Sequence, residues 1–227
     1  DPSAIAINPA GIAQIDGTQA DIEATVCNAY TRHAPAAGDT DRNESQWQVV
    51  PSAFVTSDFG CKNLRFGLGV TVPNGLSSEW EETGFARYVT TYSSLSVADI
   101  SPCVAARIGD HLMVGGAADF YYSKAELNRM LDAGLAAGAP GAMDMKASLE
   151  GTGNAWGFNL GAIYRINERH AVAATYRHNF SIDYDGTFSV DAAGVRNDGT
   201  ATLDFPRVVV LGYSYRPTDN LKLEFDA

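Results

Sequence analysis

The chain has 227 residues, 45% hydrophobic and 19% charged, and is rich in glycine (22), tyrosine (10) and phenylalanine (10). Glycine and aromatics with few charges suit a β-rich chain better than a helical one, and the sequence has no run of about 18 apolar residues to cross a membrane as a helix. The formal net charge of −11, without a basic stripe to neutralise phosphates, excludes nucleic acid as a partner.

Residues 1–17 show no strand alternation. They are small and apolar around Asn8-Pro9-Ala10-Gly11, and proline and glycine there exclude a central strand or a long helix. An irregular packed segment is expected. From Ala20 the apolar period becomes two. Strands are expected over 21–32, 46–57 and 63–73. In the last of these Phe66, Leu68 and Val70 share one face, and Arg65, Gly67 and Gly69 share the other. Residues 87–108 are long for one strand, and Pro102 should bend it. Residues 111–124 alternate cleanly, with Val114 and Tyr122 on one face and Met113, Asp119 and Tyr121 on the other. Further strands are expected over 154–166, 170–184, 202–215 and 221–227, about nine in all. The connection at 125–153 begins AELNRMLDAGLAAG, whose composition and spacing predict a helix.

Short turns are expected at 58–62, 109–110, 167–169 and 216–220, and long connections at 33–45, 74–86, 125–153 and 185–201. The two kinds alternate strictly. A barrel in a bacterial outer membrane has short periplasmic turns and long outer loops, whereas a soluble sandwich scatters its long loops over both ends. The strands have the ~9–11 residues that a tilted crossing needs. Aromatics such as Trp47, Trp156, Tyr164 and Tyr213 fall near strand ends, as interfacial girdles do. A mean hydropathy of −0.12 agrees, because alternation cancels in the average. The expected fold is all-β, a transmembrane antiparallel β-barrel of the cell outer membrane. The chain starts without a leader and stops within a strand, so it reads as a piece of a longer barrel and as a sheet that cannot close. Cys27, Cys61 and Cys103 lack CxxC spacing or histidines at metal-like intervals. They read as small apolar fillers, with Cys61 and Cys103 the one pair placed to meet.

At this point several segments become familiar. Asn8-Pro9-Ala10 resembles the NPA motif of the luminal hatch in FadL-type long-chain fatty-acid transporters, a family that includes TodX-like aromatic hydrocarbon channels. GLGVTVPNGLSSEW at 67–80, SLSVADISPCVAARIGDHLMVGGAADFYYSKAEL at 94–127, WGFNLGAIYRINERHAVAATYRHNFSIDYDGTF at 156–188 and TLDFPRVVVLGYSYRP at 202–217 resemble later family segments, in family order. The resemblance implies a 14-stranded barrel, of which about nine strands are present here. It makes residues 1–19 part of the N-terminal hatch, and 20–227 a partial barrel with a long helical extracellular loop at 125–153. It also implies passive uptake of hydrophobic molecules, long-chain fatty acids or aromatic hydrocarbons. These would be captured in the extracellular loops and released sideways through a strand kink. No cofactor is implied, and the partners would be apolar solutes and outer-membrane lipid around a monomer.

The family's kink position matches Pro73, Asn74 and Gly75. Proline cannot donate to a ladder and glycine has no side chain, although the same three residues read equally well as a turn into the outer loop. Asn8, Pro9 and Ala10 are expected near that gap, with Asn8 bonding backbone groups that the kink frees. Leu127, Met130, Leu131, Leu135, Met143 and Met145 make the 125–153 segment too apolar for solvent contact alone. Adaptable methionines suit an apolar capture groove, and packing of the loop onto itself is the other reading. Arg177 is the candidate partner for a carboxylate head group, against pairing with a luminal aspartate such as Asp119. No catalytic or metal site is expected, since GxSxG, P-loop and HExxH patterns are absent. Two alternatives compete with the channel: a general diffusion porin for small hydrophilic solutes, and a soluble β-sandwich binding module.

Overall fold

The computed structural model describes residues 1–34, 40–44, 46–136 and 138–227. A short helix α1 (Ala4–Ile7) and a 3-10 segment (Pro9–Gln14) precede the strands. These are β1 (Thr18–Ala29), β2 (Arg32–His33), β3 (Asp41–Arg42), β4 (Gln46–Ser57), β5 (Leu64–Glu79), β6 (Tyr92–Ile108), β7 (Leu112–Asp132), β8 (Asp144–Arg165), β9 (His170–Arg177), β10 (Phe180–Val190), β11 (Val195–Phe205), β12 (Val208–Thr218) and β13 (Leu221–Asp226). A helix α2 (Ala133–Ala136) lies between β7 and β8, and β2 and β3 form a small separate hairpin.

The main sheet runs β1-β4-β5-β6-β7-β8-β9-β12-β13. β10 and β11 extend this wall. β9 pairs with β8 up to Arg177 opposite Asn159, and β10 resumes along β8 with Asp183 opposite Asn154. β11 likewise leads into β12 across Pro206-Arg207, keeping one register against β10 and β9. The wall therefore has nine staves, the number that periodicity indicates. Its end strands β1 and β13 each have one neighbour.

Period two then decides what each face meets. Met113, Ala117, Asp119 and Tyr121 are buried on the side that carries the N-terminal segment, while Leu68, Val104, Leu160 and Leu211 are exposed on the other. Exposed Trp47, Tyr122 and Trp156 flank this second face towards one edge, and Tyr164 and Tyr213 towards the other. A continuous apolar band with aromatic margins is the lipid-facing surface of a barrel. The connections β4–β5, β6–β7, β8–β9 and β12–β13 are short at the expected places, with Gly60 and Gly109 in the left-handed region at φ 79° and 62°. That conformation favours glycine.

The long connections differ from expectation. β7 and β8 pair without a register break from Leu112–Tyr164 to Asp132–Asp144. Residues 125–132 and 144–153 are therefore strand, and helix is confined to Ala133–Ala136. A lone helix of that length is marginal in water, whereas each added strand residue gains ladder bonds to a partner already held in register. Likewise most of 185–201 is strand, closed by a 3-10 turn at Asp191–Ala193, and residues 74–79 remain in β5. Of the expected loops, residues 35–39, 45 and 137 lie outside the described residues. β7 has 21 residues, about twice what a tilted crossing uses, so the β7–β8 hairpin stands well beyond the membrane. Hydrogen exchange should show slow, ladder-type protection at the amides of Leu127, Arg129 and Leu131. Fast exchange there, with helical chemical shifts, would contradict the extended hairpin.

Candidate functional site

The N-terminal segment packs on the inner face of the wall. Ile5, Ala10, Ile12, Ala13 and Ile15 bury against Phe54, Cys103, Ala105, Met113 and Ala117. Burial of each large aliphatic side chain contributes about 1.5–3 kcal/mol. Cys103 is thus an apolar filler, and all three cysteines are unbonded. Asn8 serves both sides of its amide. Its Oδ1 accepts the Ala10 N–H at 3.1 Å and caps the 3-10 segment, while Nδ2 reaches the carbonyls of Ala162 (3.5 Å) and Ala174 (3.4 Å). The seat for Asn8-Pro9 is a bare patch of wall. Gly115 and Gly161 are cross-strand partners. A Cβ on Gly161 would lie 2.0 Å from Asn8 Oδ1, and one on Gly115 would lie 2.5 Å from the Pro9 carbonyl carbon.

Four arginines from four strands hold this segment by its backbone and polar side chains. Arg65 donates from Nε to the Ile15 carbonyl and from Nη2 to Asp16 at 2.6 Å. Arg107 donates to the Ala13 carbonyl at 2.7 Å, Arg165 to Gln14 Oε1, and Arg177 to the Ala6 carbonyl at 2.7 Å. Arg177 therefore differs from its expected role as a head-group partner: its guanidinium is engaged by the N-terminal segment. The reason is geometric, since an irregular segment brings carbonyls without ladder partners to the wall, and these need donors. Arg87 bonds Asp144 at 3.1 Å and Tyr88 at 3.0 Å. Those bonds raise the Arg87 guanidinium further above its ordinary value, the Tyr88 hydroxyl having the largest effect. They tie the segment before β6 to the β7–β8 hairpin.

The wall is interrupted at β5. The β4–β5 ladder ends at Ala53–Val70, although β5 stays paired with β6 as far as Glu79–Tyr92. The β5–β6 register shifts between Thr71 and Asn74, where Pro73 has no N–H to give. At the far end a bond from the Glu44 N–H to the Glu79 carbonyl (2.8 Å) rejoins the β3–β4 connection to β5. Among the described residues, no backbone ladder joins residues 71–76 to β4, over about 20 Å. The structure separates Asn8, Pro9 and Ala10 from this break. They sit on β7, β8 and β9, while Ile5 reaches Gly67 and Gly69 of β5 and Ile12 reaches Gly67.

Further out, the six expected groove residues do not form one surface. Leu131 stands opposite Met145 and shares a strand face with Leu127, while Met130, opposite Lys146, lies on the alternate face. Leu135 and Met143 are exposed at the hairpin end. The structure also shows two features that sequence reasoning missed. One is a buried polar belt of Asp99, Ser101, Asp119 and Asn159. Ser101 donates to Asp99 at 2.8 Å, and Asn159 donates to the Ile5 carbonyl at 3.4 Å. The other is an aromatic cluster around Tyr121 and Phe180. Asp119 and Tyr121 were visible on the inner strand face, but the inward turn of Phe180 had no signal in the alternation.

Across residues 1–227 the chain matches the model of the outer membrane protein transport protein family (OMPP1/FadL/TodX). The chain belongs to this family. OMPP1/FadL/TodX members are transport proteins of the Gram-negative outer membrane. The chain is 26% identical over 216 residues to outer membrane protein P1 of Haemophilus influenzae, covering 82% of this chain and 47% of that protein. It is 26% identical over 182 residues to a long-chain fatty acid transport protein of Salmonella typhi, covering 67% of this chain and 42% of that one. It thus spans about half the length of these relatives. Among solved structures it resembles the toluene transporter TodX of Pseudomonas putida, with TM-score 0.76, 18% identity, all of this chain and 65% of that one. It also resembles a Pseudomonas aeruginosa FadL homologue, with TM-score 0.75, 17% identity, 99% of this chain and 63% of that one. Both show the fold of this OMPP1/FadL/TodX chain as a barrel wall.

Replacing Gly161 with Ala should loosen the N-terminal segment and lower stability by about 1–3 kcal/mol, the usual cost of overpacking. Gly199→Ala, with nothing within 4 Å of its added Cβ, should be neutral. Thermal unfolding and proteolysis within residues 1–17 would report both. Asp58 gives a pH test. Its carboxylate accepts the N–H groups of Gly60 and Gly17, both at 2.8 Å. These hold its pKa below the ordinary carboxylate value, Gly60 first. A lowered folded pKa stabilises above the unfolded value and is lost as pH falls through the folded one. Wild type should therefore lose more Tm than Asp58→Asn between neutral pH and about pH 3. Equal losses would sever the link.

Proposed function

We propose that the full-length protein takes up hydrophobic molecules passively across the outer membrane and releases them sideways through the β4–β5 break. The observation that carries this reading is the ladder that stops at Ala53–Val70 while β5 continues beside β6. In a lipid-facing wall, an unpaired stretch of backbone is costly unless something takes its place. Such a stretch, level with the buried apolar cluster of Val97, Tyr121 and Phe180, is a doorway for apolar solutes. The register shift at Pro73-Asn74 makes the doorway, and Gly75 keeps its rim free of a side chain.

In this reading residues 1–19 are the hatch. Asn8 and Pro9 lock it on the Gly115–Gly161 seat, and the four arginines hold its backbone. A seated hatch bars axial flow of water and ions, which argues against the general diffusion porin. Capture at the outer end falls to the extended β7–β8 hairpin. Its face bearing Leu127, Leu131 and Met145, with Leu135 and Met143 at the tip, offers apolar contact, while Met130 belongs to the opposite face. Long-chain fatty acids and monocyclic aromatic hydrocarbons are the candidate solutes. Arg177 acts here as a hatch anchor, so the inner route is suited to neutral solutes or to neutral tails. The exposed apolar band contacts outer-membrane lipid, and a single chain suffices for the path.

Gly75→Val in the full-length protein tests the doorway. A Cβ at Gly75 has its nearest neighbour, the Leu95 carbonyl oxygen, at 3.9 Å, so the barrel should fold normally. β-branching favours strand pairing at the rim. Uptake of labelled palmitate and toluene should fall roughly tenfold, equivalent to about 1.4 kcal/mol. Unchanged uptake by the folded variant would remove the lateral route. Large steady ion currents through the wild type in planar bilayers would replace the hatch model with the porin.

A further inference from the structure

A second packed cluster lies on the inner face of the wall, outward of the N-terminal segment. On β9 the inward residues include Arg177, which donates to the Ala6 carbonyl. Uninterrupted alternation would next turn Asp183 and Asp185 inward. The register against β8 instead slips by one residue across His178-Asn179, and a one-residue slip exchanges the two faces of a strand. Phe180, Ile182 and Tyr184 therefore point inward, each less than a tenth exposed.

They close on Val97 and Tyr121, both fully buried. The Phe180 ring lies between two others: its centroid is 3.8 Å from Tyr121 and 4.5 Å from Phe205, and each pair is within 10° of parallel. The Tyr184 hydroxyl and Ser123 Oγ are 2.7 Å apart, and Ser123 Oγ donates to the Ser96 carbonyl at 2.9 Å. The β8 wall is bare beneath them. A Cβ on Gly157 would lie 3.0 Å from the Tyr121 ring, and one on Gly153 would lie 2.6 Å from Ile182. This cluster is level with the break in the wall. Val97 pairs with Asn74, the first residue after the β5 register shift, and on its other side with Ser123 of β7.

We propose that Phe180 and Tyr121 are the specificity-determining residues of the uptake path, forming an inner aromatic gate that a solute must part to reach the break. The proposal rests on the uptake reading above. A ring held by stacking moves aside by rotation about two side-chain torsions, and the interaction lost is small, so a slender chain or a flat ring can replace Phe180 in its slot. A bulky three-dimensional hydrocarbon cannot enter a slot between parallel rings without separating β10 from β7.

The test compares full-length wild type, Phe180→Ala, Phe180→Leu and Phe180→Trp in liposomes, with labelled toluene, palmitate and an adamantane hydrocarbon. The reading is the ratio of adamantane to toluene uptake. Phe180→Ala should raise this ratio roughly three- to tenfold, equivalent to about 0.7–1.4 kcal/mol, and Phe180→Trp should lower it. Phe180→Leu keeps an apolar side chain without a stacked ring and should fall between wild type and alanine, so it carries the test where alanine fails to fold. The same ratio in wild type and every folded variant overturns the gate while leaving uptake intact. Failure of the wild type to take up any of the three solutes overturns the uptake reading, and the gate with it.

Discussion

A sheet that faces lipid has to pair its own backbone, because the hydrocarbon offers no partner for an open N–H or C=O. Most of this wall obeys that constraint without interruption, above all the β7–β8 hairpin with its single register over the full length of β7. Besides a register shift beside the β12–β13 turn, two irregularities bear on the interior. At Thr71–Asn74 the β5–β6 register shifts and pairing with β4 is lost. At His178-Asn179 the ladder along β8 stops at Arg177–Asn159 and resumes, one residue out of register, at Asp183–Asn154. The first leaves an edge open. The second is bridged on its other side by β11 from Phe180 onward, and it changes which side chains look inward.

The inner surface follows a different rule. An irregular segment placed inside a barrel cannot satisfy its backbone by laddering, so the wall must supply donors. Arginine suits this work because its fork carries several N–H groups and stays charged. The donors come from β5, β6, β8 and β9, so the N-terminal segment is fixed from several directions. Acidic groups at the same level moderate the charge: Arg65 meets Asp16, and Arg177 lies close enough to Asp99 and Asp119 to interact with both. Glycine completes the fit, since only residues without side chains let Asn8 and Pro9 approach the β7–β8 backbone.

How much of this could be read from the sequence depends on the range of the physics involved. The two faces of 63–73 and 111–124 are written in period two, and the structure keeps them. Short turns carry local turn residues, with glycine at 60 and 109, and apart from the start of 216–220 the expected positions lie within a residue or two of the observed ones. Pro73 marks a ladder fault because a missing N–H is a local property. The strand extensions were not legible. AELNRMLD has helical composition, and only the partner strand at 144–153, distant in sequence, decides for β. The seat of Asn8-Pro9 was misplaced towards β5 for a similar reason, since Gly115 and Gly161 become a patch only once β7 and β8 are in register. Arg177 looked free because the carbonyl it meets belongs to a segment 171 residues away. The inward turn of Phe180 depends on one residue of slip, which hydrophobic alternation does not record.

The belt and the break are coupled through the same hydrogen-bonded row. Thr71, the last β5 residue before the shift, pairs with Asp99, and Asp99 pairs with Tyr121. On the proposed route, a solute that parts the aromatic cluster arrives at this row with two directions open. Towards the N-terminal segment lie buried Asp99, Ser101 and Asp119. Covering them with hydrocarbon would strip their polar contacts, at about 1–3 kcal/mol for each group left unsatisfied and more where charge is involved. Towards β4 lies an edge that has already given up its ladder, beyond which is lipid. The lower-energy direction is sideways, and no displacement of the N-terminal segment is needed to take it. On that proposed route the polar belt would serve as a floor, and the fault at Pro73 as an exit at the height of that floor.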